Sequence, residues 1–118
     1  ANLIRTYAPG HIDVNQETYT RSLIVLPGQV IPDWPPQLFS DLTVAHIEAL
    51  AALSPEIVVL GTGQRQQFPR AEILAPLIKA GIGWEIMDSG AACRTYNILM
   101  SEGRNVAAAL LMIEGVGG

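Results

Sequence analysis

Cysteine occurs once in this 118-residue chain, at Cys93, and lysine once, at Lys79. A single cysteine excludes an internal disulfide and fits a reducing compartment. With 7 Lys and Arg against 11 Asp and Glu, for a net charge of −4, the chain lacks the basic face that neutralises nucleic-acid phosphates, so no nucleic-acid partner is expected. Two isolated histidines, His11 and His46, and one Cys make no metal-ligand set, and neither a metal nor a cofactor is expected. The longest apolar run, Val106 to Ile113, is far short of the ~20 residues that cross a bilayer. No charged and apolar leader pattern opens the sequence, so the expectation is a chain that does not span a membrane and sits in the cytoplasm. What is plentiful is apolar surface: 49% of residues are hydrophobic, 15% are charged and mean hydropathy is +0.29. That balance excludes disorder and predicts one domain, residues 1–118, burying roughly two-thirds of its unfolded surface.

Turn chemistry and periodicity divide this domain into a β-rich part (1–32), a Pro-rich loop (33–42) and an α/β part (43–118). Ala8-Pro9-Gly10-His11 and Leu26-Pro27-Gly28-Gln29 carry the Pro-Gly order of type II turns, so strands should flank each. Thr18 to Leu26 reads as one of those strands. The loop PDWPPQLFSD offers Trp34 and Phe39 as anchors. Val44, Ile47, Leu50 and Leu53 then recur at helical spacing, with Asp41 or Thr43 as cap and Ser54-Pro55 as stop. An apolar strand follows from Ile57 to Leu60. Ile73, Leu74, Leu77 and Ile78 predict a second helix that ends at Gly81, with Pro76 either kinking it or marking a late start. Ile82 to Met87 is a strand, a third helix runs from an Asp88 N-cap to Gly103, and Val106 to Ile113 is a central strand, apolar on both faces. The second half is therefore βαβαβ, with the strands at Ile57 and Ile82 parallel and their C-terminal ends on one edge.

That edge holds Gly61-Thr62-Gly63. A dinucleotide fingerprint needs Gly where Gln66 stands, and a P-loop needs Gly-Lys-Ser/Thr where the chain has Gln66-Gln67-Phe68, so both phosphate motifs fail. Gly81 and Gly83 fail likewise at Ile86. The plain reading is that Gly61 and Gly63 permit a tight strand exit. A sharper one notes that the same edge collects Arg65, Arg70, Asp88, Ser89, Gly90 and Arg94 beside a helix N-terminus, the makings of a small-anion or carboxylate site. Cys93 shares a helical stripe with Ala92, Tyr96, Leu99 and Met100, so it belongs to the core, and no base is tied to it by spacing. Glu85 and Asp88 flank a strand end, but Asp88 has the cap role, and no catalytic residue is assigned.

From Met87 to Leu111 the run MDSGAACRTYNILMSEGRNVAAALL, preceded by IVVLGTG and GIGWEIM, resembles a family of small, mostly uncharacterised bacterial and archaeal proteins that includes the mitochondrial respiratory complex I assembly factor 3. The likeness covers most of the chain and is strongest from Ile57 to Leu111. It implies a compact three-layer α/β domain with a mixed central sheet and additional N-terminal β structure. The family's motif residues fall on Gly61, Thr62, Gly63, Asp88, Ala92, Cys93, Arg94, Thr95, Tyr96 and Asn97. Mitochondrial members resemble chaperone-like factors acting with other assembly proteins and carry an import segment that this sequence does not show, which favours a prokaryotic source.

Three functional expectations follow. The first is a non-enzymatic interaction module with a protein partner, a respiratory-complex or assembly protein, working through the Gly61–Gly63 loop and the start of the third helix. The second is a small-anion or carboxylate binder, or a weak enzyme, in which Gly61, Thr62, Gly63 and the Asp88-Ser89-Gly90 backbone hold the ligand. Arg94 or Arg65 would complete the charge there, and Tyr96 or Asn97 would orient the bound group. The third is a homo-oligomer contact through exposed prolines and Trp34.

Overall fold

The computed structural model describes residues 1–114. The first three strands, β1 (Ile4–Ala8), β2 (His11–Val14) and β3 (Glu17–Tyr19), form an antiparallel meander. A second sheet takes β4 (Leu23–Leu26), β5 (Gln29–Ile31), β6 (Ile57–Gly61), β7 (Gly83–Met87) and β8 (Val106–Leu110) in the order β5-β4-β8-β6-β7. Strand β6 runs parallel to both β7 and β8, while β4 is antiparallel to β8, so the sheet is mixed. Period-two alternation sends Val58, Leu60, Ala107 and Ala109 to one face, where α1 (Val44–Ala52) and α2 (Ala71–Ala80) pack, and Val59, Val106, Ala108 and Leu110 to the other. The second face is covered by α3 (Ser89–Ser101) together with the meander. The result is the three-layer α/β domain implied by the resemblance, with β8 at the centre of the sheet and buried along its whole length.

Local signals fix α3 at both ends. The Asp88 carboxylate accepts the Ala91 N–H at 2.9 Å. At the other end Gly103 takes φ +80°, with its N–H on Met100 O and the Arg104 N–H on Leu99 O, a Schellman motif. Gly81, at φ +69°, closes α2, which begins at Ala71, so Pro76 lies inside the helix rather than near a late start. Four expectations need correction. Thr18 to Leu26 is two strands in different sheets, because the chain breaks at Ser22, which is buried and whose carbonyl accepts the Trp34 N–H at 2.8 Å. Gly28 connects β4 to β5 without the positive φ a type II turn requires. The last strand ends at Leu110: the Leu111 N–H makes the final rung to Gly61 O, and the Leu111 carbonyl leaves the ladder to accept the Ser89 hydroxyl. Trp34 is 3% exposed, packed in the α1/α2 core with its ring edge-on to His46, so it offers no surface for a homo-oligomer.

Candidate functional site

Strand order decides where a ligand could sit. The chain leaves β6, crosses by α2 to β7, and returns by α3 to β8 on the far side of β6. Because the direction of travel reverses, the two crossover helices cover opposite faces, and the C-terminal ends of β6 and β8 form a topological switch point. A cleft of about 180 Å³ opens there, lined by Thr62, Gly63, Arg65 and Gln67 after β6, Leu111, Met112 and Glu114 after β8, and Gln37–Phe39 from the Pro-rich loop.

The Gly-Thr-Gly segment builds the floor of this cleft. Ser89, fully buried at the first position of α3, accepts the Gly63 N–H at 2.8 Å and donates to Leu111 O, while its own N–H bonds to Gly63 O at 2.8 Å. One side chain thus ties together the ends of β6, β7 and β8. A Cβ on Gly61 would stand 2.9 Å from Ser89 Cα, which is why that position is Gly. Gly63 takes φ +96°. Thr62, also buried, donates its hydroxyl to Arg65 O at 2.6 Å and accepts the Gln67 N–H at 3.1 Å, so the loop is braced from inside. Arg65 and Arg70 are exposed on it, and Gln66 caps the Ile86 carbonyl of edge strand β7 at 3.0 Å.

The remaining motif residues point elsewhere. Asn97 clamps β1, donating to Ile4 O at 2.7 Å and accepting the Ile4 N–H at 3.0 Å, and the buried Tyr96 donates its hydroxyl to Asn2 O at 2.7 Å. The Arg94 guanidinium lies 5.6 Å from the Tyr7 ring centroid and donates to its hydroxyl. Tyr7 in turn packs against Gly90, where a Cβ would meet the ring at 2.9 Å. Helix α3 therefore uses Gly90, Arg94, Tyr96 and Asn97 to dock the N-terminal meander. The helix N-terminus is spoken for as well, with the Ser89 N–H on Gly63 O and the Ala91 N–H on the Asp88 carboxylate. Of the residues grouped by the anion expectation, the cleft receives Thr62, Gly63 and Arg65, with Gly61 and Ser89 behind it. Arg70, Asp88, Arg94, Tyr96 and Asn97 do not line it. Cys93 is buried, and burial pushes its thiol up to about 12, which leaves it a neutral core group. Burial likewise raises Tyr96 to about 12.

Gln37, Leu38, Gln64, Gln67, Leu111, Met112 and Glu114 line the cleft and were not candidate site residues in the sequence, and Phe39, expected only as a loop anchor, lines it too. The signal that finds them is the return of the last strand to the β6 side, which a list of strands does not contain. Among the described residues, no group of three or more His, Cys, Asp and Glu side chains is arranged to hold a metal, and no helix is long and apolar enough to cross a membrane.

A family model described as protein of unknown function (DUF498/DUF598) matches residues 4–111. The chain belongs to this family. Its relatives include a Danio rerio protein named NADH dehydrogenase [ubiquinone] 1 alpha subcomplex assembly factor 3, 38% identical over 92% of this chain and 63% of that protein. The chain thus spans somewhat under two-thirds of the assembly factor's length. Another relative, from Francisella tularensis, is named 13 kDa major membrane protein and is 32% identical over 91% of this chain and 88% of its own length. The crystal structure of a Bordetella parapertussis protein superposes with a TM-score of 0.88 at 42% identity, covering 94% of this chain and 95% of that one.

Proposed function

We propose that this chain is a non-enzymatic interaction module, assembly-factor-like, that helps build a membrane-associated NADH dehydrogenase from the cytoplasmic side. The observation that carries this reading is the alignment of 92% of the chain with a protein named as such an assembly factor. The internal use of polar groups supports it, since Thr62, Ser89, Tyr96 and Asn97 all make hydrogen bonds within the fold.

The working surface in this reading is the braced loop after β6. Phe68 is 68% exposed there, between the exposed Arg65 and Arg70. Aromatic and Arg side chains are what binding hot spots are made of, and a loop held from inside by Thr62 loses little entropy when a partner covers it. Deleting the gene in its host and quantifying assembled NADH dehydrogenase on a native gel tests the role. The expected result is a loss of assembled complex, restored by the wild-type chain and not by Phe68→Glu; unchanged assembly in the deletion strain overturns it.

A further inference from the structure

Strand β7 forms one edge of the five-stranded sheet, bonded to β6 on one side and to no strand on the other. Backbone groups alternate in direction along a strand. Here the Gly83 N–H bonds Glu56 O at 3.3 Å, and Met87 O accepts the Thr62 N–H at 2.9 Å. Gly83, Glu85 and Met87 therefore turn their N–H and C=O to β6, while Trp84 and Ile86 turn theirs to the open edge. Gln66 takes one of these edge groups, the Ile86 carbonyl, at 3.0 Å. Among the described residues, the Trp84 N–H, the Trp84 carbonyl and the Ile86 N–H have no hydrogen-bond partner. Exposed apolar side chains border the same edge, with Trp84 38% and Ile78 57% exposed. Ala75, Pro76, Lys79 and Ala80 of α2 share a groove with Val44 and Glu48 of α1, so that flank of α2 faces α1. At ~100° per residue, Ile78 falls on the flank away from α1, and it is α2 that packs on β7.

We propose that β7 is a self-pairing edge: two copies of this chain join antiparallel about a two-fold axis at Trp84, making one continuous sheet with five strands from each copy. A two-fold interface must be complementary to itself, and the register decides whether β7 is. Centred on Glu85, the pairing sets the two Glu85 carboxylates directly opposite, which is destabilising, and it calls on the Ile86 carbonyl that Gln66 already holds. Centred on Ile86, it needs that carbonyl from both copies. Centred on Trp84, each Trp84 N–H meets the Trp84 carbonyl of the other copy, so the free edge groups satisfy each other. Glu85 then lies opposite Gly83, which has no side chain to oppose it. The Ile86 carbonyl faces Ile82, whose N–H is already on Leu77 O at 3.0 Å, so neither group loses a bond. Val58, the neighbour of Trp84 in the ladder, belongs to the α1/α2 face. Both Trp84 rings therefore fall on that side of the joined sheet, beside Ile78 from each copy. A contact of this extent belongs with small, transient interfaces.

This inference stands apart from the partner reading, which rests on Phe68, and it is tested on the purified chain alone. Sedimentation equilibrium and amide hydrogen exchange by NMR are followed as protein concentration rises from micromolar to millimolar. The expected result is a mass that climbs from 12.7 kDa toward twice that value, with exchange at the Trp84 amide slowing in step. The Glu85 amide, which faces β6, should exchange slowly throughout. Trp84→Lys sets like charges opposite each other across the axis and should raise the dimer dissociation constant about tenfold or more. A chain that stays at 12.7 kDa at millimolar concentration overturns the proposal. So does a dimer whose Trp84 amide exchanges as fast as in the monomer, or a Trp84→Lys chain that dimerises as tightly as the wild type. The mass and exchange measurements use the unaltered chain, so the test does not depend on the variant folding.

Discussion

Adding one methyl group at Gly61 should cost the fold more than its size suggests. A Cβ there meets Ser89 Cα and Oγ at 2.9 Å and Leu110 Cδ2 at 3.0 Å. The leucine end can give way; a helix backbone atom can do so only if the first turn of α3 lifts off β6. Lifting it strains the bonds from Ser89 to Gly63 and Leu111, which are buried. Overpacking of this kind costs about 1–3 kcal/mol, and weakening a buried hydrogen bond adds ~1 kcal/mol. Against that, Gly→Ala returns up to ~1 kcal/mol by restricting the unfolded chain. The net for Gly61→Ala is a loss of about 1–3 kcal/mol, which at ~4 °C per kcal/mol lowers Tm by ~4–12 °C. Gly83→Ala is the control: it lies in the neighbouring strand, has no positive φ, and its Cβ would meet nothing nearer than 3.8 Å. It should leave Tm unchanged or slightly raised. Thermal unfolding followed by circular dichroism reads both. A Gly61→Ala chain as stable as the Gly83→Ala chain refutes the close-approach argument.

Asn97→Ala removes both bonds that hold Ile4; it should cost about 1–2 kcal/mol and, read by hydrogen exchange, speed amide exchange in residues 4–19 well before the central sheet responds. Stability should also fall in alkali. Cys93 rises from 9.0 to about 12 and Tyr96 from 10.0 to about 12 in the folded chain. Each contribution is therefore complete below the unfolded value and is lost as pH climbs from about 9 toward 12. Urea midpoints measured across that range should decline, and in Cys93→Ala the decline should start nearer pH 10 because the raised groups that remain, Tyr96 and Tyr19, both start from 10.0.

The elements that were legible in the sequence are those whose signals lie within a few residues of their effect. Asp88 and Gly103 bracket α3 because capping is local chemistry, and β8 reads as central because a strand apolar on both faces has no other place. Thr18 to Leu26 misled for the same reason in reverse. Its β-branched run is continuous, and what breaks it is a bond from Ser22 to Trp34 across the Pro-rich loop. The roles of Tyr96 and Asn97 were hidden by distance along the chain, since their partners are Asn2 and Ile4. The Gly-Thr-Gly was recognised as a tight strand exit. That it also floors a cleft depended on β8 returning beside β6, and sheet order of that kind is set by the whole packing.

The central claim is that the motif on α3 holds the fold together while the loop after β6 meets the partner. Cross-linked affinity capture of the tagged chain from its host, compared between wild type, Phe68→Glu and Ile98→Glu, tests it most directly. Phe68 and Ile98 are both exposed, at 68% and 59%, so both variants should fold. The account predicts that NADH dehydrogenase subunits or their assembly proteins are recovered with wild type and Ile98→Glu and lost with Phe68→Glu. Recovery that survives Phe68→Glu and disappears with Ile98→Glu would contradict it, placing the working surface on α3.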